Sequence, residues 1–174
     1  EAARWYLQAL EETPRNGPAF NAIGPLCEQT GQWELWVEAL LLRAAVVLSE
    51  ATSLKRQAAL LRHVNADEPN TAIPLFEEVF AAAPGDPAAA EVLADHYAET
   101  EQWVKLADVY EGLLTVTEDP EERVDLLKKL ALLRETVIED AGGAARNYQE
   151  ILDLLPDDLD ALKELERLYI QQHK

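Results

Sequence analysis

The chain has 174 residues, 48% of them apolar and 28% charged, enough to bury a core as one or two ordinary domains. Its net charge of −18 argues against nucleic acid and against anionic membranes, which both attract Lys and Arg. No apolar run reaches the roughly 18–20 residues that cross a bilayer, no signal peptide opens the chain, and the lone Cys27 has no internal disulfide partner, so a cytoplasmic location is the expectation.

Alanine, leucine and glutamate are abundant and glycine is scarce, which favours helix throughout. Breakers cut the chain into ten helices. The first, 1–13, stops at "TPRNGP". The second, 17–30, carries Pro25 in its body and is the one expected to kink. The third is 33–48 and the fourth, 51–66, contains "ALLR" at Ala59–Arg62. The fifth, 69–82, has Pro74 near its start, where a missing backbone donor costs least. "PGDP" precedes the sixth, 87–100, and "TEDP" follows the seventh, 103–116. The eighth, 121–139, repeats "ALLR" at Ala131–Arg134, and Leu126, Leu130, Leu133 and Val137 in it step with helical period. The ninth is 141–154 and the tenth, 158–172, follows "PDD". Connections this short make sequential helices antiparallel neighbours. Helices of about 12–18 residues are marginal alone, so stability must come from stacking hairpins side by side.

The two "ALLR" segments lie 72 residues apart and mark a duplication. Alanine, an aromatic four later and a proline eight beyond that recur at Ala2/Tyr6/Pro14, Ala72/Phe76/Pro84 and Ala144/Tyr148/Pro156. A second kind of unit interleaves: "CEQTGQW" and "YAETEQW" align through Thr30/Thr100, Gln32/Gln102 and Trp33/Trp103 at an offset of 70. The whole chain, 1–174, reads as one array of two-hairpin modules.

This pattern resembles the tetratricopeptide repeat, a helix-turn-helix unit whose signature in the third hairpin is carried by Leu93, Ala94, Tyr97, Trp103, Tyr110 and Leu113. The resemblance covers the whole chain and implies an all-α fold, an α-α superhelix of about ten antiparallel helices. The units are slightly long, and Trp36 and Leu106 stand where the family prefers alanine, which should open those hairpins. In the repeat frame Glu1 begins inside a helix B, and the last helix is a helix A suited to be a cap; with no methionine present, an excised segment is expected.

The resemblance also implies a groove, lined by helix A, that binds extended peptides or helices. Carried over position by position, its rows are Pro18, Ser53, Ala88, Asp125, Asp160; then Asn21, Arg56, Glu91, Lys128, Lys163; then Pro25, Leu60, Asp95, Leu132, Arg167; then Glu28, His63, Ala98, Glu135, Ile170. The partner-binding candidates are Asn21, Glu28, Arg56, His63, Glu91, Asp95, Lys128, Glu135, Lys163 and Arg167. None of the pairs one turn apart is the Lys/Asn of the family's carboxylate clamp, which argues against capture of a C-terminal tail. Glu91 and Asp95 form an acidic step suited to a Lys- or Arg-bearing segment, or else a solvated helix face.

No catalytic motif, phosphate loop or paired carboxylate arrangement is present, and no cofactor or metal is expected. His63, His96 and His173 are dispersed, and Cys27 reads as a small core residue. Arg62 and Arg134 fall where an aromatic normally packs, so their stems should cover a seam while the guanidinium meets a carboxylate such as Glu78 or Glu150. The sequence therefore points to a non-catalytic scaffold for a peptide or helix of another protein. The alternative is a structural spacer that self-associates through its terminal hairpins.

Overall fold

Several helices start at a side-chain cap or a proline, and the same devices recur one module later. Asn16, Asp86 and Asp158 are equivalent in the repeat frame, each two residues after a proline, and each accepts a backbone N–H three residues on, from Ala19, Ala89 and Ala161, at 3.1, 3.0 and 2.9 Å. The "TGQW" and "TEQW" segments are matching helix ends. Thr30 and Thr100 donate their hydroxyls to the carbonyls of Leu26 and His96, while Gln32 and Gln102 N–H close on the carbonyls of Cys27 and Tyr97. The left-handed residue this turn requires is Gly31 at φ 66° in one module and Glu101 at φ 55° in the other.

The computed structural model describes residues 1–65 and 69–172, and over these it is all-α. The helices are α1 (Ala2–Glu12), α2 (Gly17–Thr30), α3 (Trp33–Val46), α4 (Ala51–Asn65), α5 (Ile73–Ala82), α6 (Pro87–Glu99), α7 (Trp103–Leu114), α8 (Pro120–Thr136), α9 (Ala141–Leu154) and α10 (Leu159–Gln172). All ten expected helices are present. Residue 66, placed at the end of the fourth, lies outside the described residues.

Three differences from the sequence expectation have local causes. Residues Pro69–Ala72 form a 3-10 turn, and the α-helix begins only at Ile73, which puts Pro74 in the first turn, where no intrahelical donor is needed. α8 stops at Thr136, short of 139, because Glu139 turns left-handed at φ 62° and Asp140 N–H closes on the Arg134 carbonyl at 2.7 Å. α2 remains one helix through Pro25, which forfeits only the hydrogen bond to the Asn21 carbonyl.

The chain divides into two compact units, 1–93 and 94–174. In the first, α1 packs on α2 and α3, α2 on α3, α3 on α4, and α4 on α5. Leu10, Ile23, Cys27, Val37, Leu40 and Phe76 fill its core with essentially no exposure. Trp36, in a slot where the repeat prefers alanine, is accommodated by its neighbour, and its hairpin α2–α3 makes fewer close approaches than α4–α5 or α8–α9. The facing residue on α2 is Gly24, and a Cβ there would stand 3.0 Å from the indole, so the missing side chain admits the large one. Phe20 then tilts against Trp36 at 4.9 Å, with the Arg43 guanidinium 4.4 Å above the Phe20 ring. In the second unit α7 packs on α8, α8 on α9, and α9 on α10, around Leu127, Leu130, Ala131, Ala144, Ile151 and Leu168.

Candidate functional site

The candidate positions lie on the helix-A elements: those of α2 and α4 and Glu91 of α6 belong to the first unit, Asp95 of α6 and those of α8 and α10 to the second. In the second unit α8 and α10 share a face, tied by two ionic rungs. Lys128 Nζ meets Asp158 Oδ2 at 2.7 Å, and Arg167 bonds Glu135 while also holding Glu164 at 2.7 Å. Asp158 caps α10 at the same time, so its carboxylate accepts from an ammonium and from two backbone N–H groups. These bonds, Lys128 first, hold its pKa below the ordinary carboxylate value. Glu135 and Glu164, acting the other way on Arg167, raise the guanidinium pKa further above its usual value. Beneath this rung lies Tyr148, whose phenol is pushed up by burial first and then by Glu135 and Glu164.

The same latch exists in the first unit. Arg56 Nε reaches Asp86 Oδ2 at 2.7 Å, and Asp86 caps α6. Arg56/Asp86 and Lys128/Asp158 are each 30 residues apart and 72 residues from each other, a regularity visible in the sequence once the frame is set. Two of the four groove cations are therefore engaged with the capping carboxylate of a following helix, and a third, Arg167, with Glu135 and Glu164. Lys163 stays largely solvated, 3.8 Å from Asp160.

The other candidates divide in the same way. Asn21 and Glu28 are exposed on α2, and Glu91 and Asp95 are exposed one turn apart on α6. His63 turns its ring onto Phe76 of α5, edge to face at 5.8 Å, which places it in the α4–α5 seam. His173 lies outside the described residues. The aliphatic members of the rows stand out instead: Leu132 on α8 is 57% exposed and Ile170 on α10 is 52% exposed, each within one turn of the Glu135–Arg167 rung.

Arg134 is a seam residue, though with partners other than those expected. Its stem passes over Gly143, where a Cβ would lie 2.9 Å from the Arg134 Cδ. Its guanidinium bonds Asn147 Oδ1 at 2.7 Å and pairs with Glu111 of α7. Arg62 likewise reaches back to the preceding helix, to Glu34 at 3.5 Å. Glu78 and Glu150 are taken by Lys55 and Arg123.

Among the described residues no group of three or more His, Cys, Asp or Glu could hold a metal ion, and no helix is long and apolar enough to cross a membrane. Cys27 is fully buried, and burial raises its thiol pKa, the opposite of what activates a nucleophile.

No protein-family model matches the sequence, and neither does any curated protein. Among solved structures, one titled "Crystal structure of MamA protein" aligns over 88% of this chain and 81% of that chain, at 13% identity and a TM-score of 0.45.

Proposed function

We propose that this chain is a non-catalytic, tetratricopeptide-like scaffold that holds a peptide or helical segment of another protein against its helix-A faces. The observation that carries this reading is the exposure of Leu132 and Ile170 on the α8–α10 face. The ion pairs beside them are satisfied internally and hold the two helices in register. Burying aliphatic side chains supplies affinity, at about 25 cal/mol per Å² of apolar surface, while the fixed charges set orientation. On α6, the exposed Glu91 and Asp95 favour a segment that carries Lys or Arg.

A displayed library of linear and helical peptides, selected against the intact chain, tests this. Selected binders should lose at least tenfold in affinity against the Leu132→Arg/Ile170→Arg double variant. Basic binders should lose a comparable factor against Glu91→Lys/Asp95→Lys. Lys129→Glu, at an exposed position of α8 outside the rows, is the control. If no peptide is enriched, or if binders are indifferent to both pairs of substitutions, the reading fails.

A further inference from the structure

Among the chain's five asparagines, Asn16 alone is followed by glycine; Asn21, Asn65, Asn70 and Asn147 precede Ala22, Ala66, Thr71 and Tyr148. An asparagine side chain can be attacked at Cγ by the backbone nitrogen of the next residue, which closes a five-membered succinimide ring. The side chain of that next residue is what ordinarily obstructs the approach, and glycine has none.

The fold brings both reacting groups to the start of α2. Asn16 is the N-cap, and its carboxamide Oδ1 accepts the Ala19 N–H at 3.1 Å. That bond curls the side chain over the residues that follow it, the side from which the Gly17 nitrogen must approach. Gly17 is the first residue of the helix, so its N–H has no carbonyl a turn earlier to meet, and among the described residues no turn carbonyl accepts it. A Cβ built on Gly17 would meet nothing within 4 Å, so no neighbour crowds this residue. Pro18 has no N–H, and one hydrogen bond holds the Asn16 carboxamide where the caps Asp119 and Asp158 each accept two. As the nitrogen adds, negative charge gathers on Oδ1, where the Ala19 N–H and the positive end of α2 already point.

We infer that Asn16 is a site of spontaneous modification, converted to aspartate and isoaspartate in the folded protein. The Gly17 nitrogen gives up its proton and bonds to Cγ; the Cγ–Nδ2 bond breaks, and Nδ2 leaves as ammonia with that proton. Water then opens the imide. Cleaving the new bond to Cγ gives aspartate in an ordinary backbone, and cleaving the bond to the Asn16 main-chain carbonyl carbon gives isoaspartate. One water enters, one ammonia leaves, and nothing is oxidised or reduced. The two products act in opposite directions. Aspartate is the residue already standing at the equivalent caps, Asp86 and Asp158, and its carboxylate suits a helix N-terminus. Isoaspartate routes the main chain through the former side chain, adds a methylene to it and takes the capping oxygen away. The Phe20 N–H closes on the Asn16 carbonyl at 3.0 Å, and the Trp36 and Arg43 contacts are built on the Phe20 ring, so this product loosens the first hairpin.

Incubating the native chain at neutral and mildly alkaline pH, followed by peptide mass spectrometry, tests this. The peptide holding Asn16 should gain one mass unit, as NH2 is replaced by OH, while the other four asparagines stay unchanged. The rate should rise with pH, because the nucleophile is the deprotonated amide. An isoaspartate-specific carboxyl methyltransferase should label the same peptide. Gly17→Ala, for which the structure has room, should slow the reaction at least tenfold. Asn16→Asp should melt no lower than the native chain, and an aged sample enriched in isoaspartate should melt lower. A native chain that stays unmodified while the urea-unfolded chain reacts overturns the inference. So does a rate indifferent to Gly17→Ala, or modification spread evenly over the other asparagines.

Discussion

Replacing Asp158 separates the two tasks its carboxylate performs. It accepts from the N–H groups of Asp160 and Ala161 at the start of α10, and it holds the Lys128 ammonium of α8 at 2.7 Å. Removing a capping acceptor costs about 1 kcal/mol, while a half-exposed Lys–carboxylate pair is worth roughly 0.5 kcal/mol after screening. Asp158→Ala should therefore cost about 1.5 kcal/mol, lowering Tm by about 3–6 °C in a chain of this size. Asp158→Asn keeps the cap and should lose only about 0.5 kcal/mol. The pH dependence has a definite sign. The folded pKa of Asp158 is depressed, so the charge-dependent stabilisation is fully present above the unfolded carboxylate value near 3.9 and is lost as pH falls through the lower folded pKa. The gap between the native chain and Asp158→Asn should be constant from about pH 5 upward and should close below about pH 4. The gap between Asn and Ala, a capping effect, should persist. Urea unfolding followed by circular dichroism reads both gaps. If Asn proves as damaging as Ala, or Ala is silent, Asp158 is not the shared cap and latch described here. Asp86, paired with Arg56, should give the same order of effects.

Glu101 occupies the left-handed turn that Gly31 occupies one module earlier, at a strain of about 1 kcal/mol for a residue bearing a Cβ. Glu101→Gly should raise Tm by up to about 2 °C after allowance for the freer unfolded chain, and Gly31→Ala should lower it; thermal melts in which both shifts are absent would contradict the turn. Gly24→Val drives a branched side chain into the Trp36 ring, 3.0 Å from where its Cβ would stand, and should cost about 2 kcal/mol by overpacking. The same variant should shift tryptophan emission, and an unchanged spectrum with unchanged stability would mean the close approach does not exist.

Much of the fold was legible because its signals are local and doubled. The breakers "TPRNGP", "PGDP" and "PDD", and the matching "TGQW" and "TEQW" segments, involve residues within a few positions of one another, so their recurrence at a fixed offset sets the helix boundaries closely. What escaped depends on contacts across helices. No rule of spacing says that Gly24 on the neighbouring helix is what makes room for Trp36. Arg62 and Arg134 were assigned the right role with the wrong carboxylates, because Glu78 and Glu150 are reached first by Lys55 and Arg123. The late start of α5 and the early end of α8 turn on backbone angles at Ala72 and Glu139 that composition does not determine.

The latches bear on what the helix-A faces have left to offer. Four of the candidate positions are basic, Arg56, Lys128, Lys163 and Arg167, and each taken alone could attract an acidic group in spite of the overall charge. In the fold, Arg56 and Lys128 neutralise capping carboxylates, and Arg167 neutralises Glu135 and Glu164. An acidic partner could recruit these cations only by uncapping a helix or breaking a rung, at a cost of the order of 1 kcal/mol for each. Lys163 alone escapes that cost, and a single exposed ammonium supplies little specificity. On the second unit, a partner of the kind proposed that leaves the caps intact would have to draw its affinity from the exposed Leu132 and Ile170.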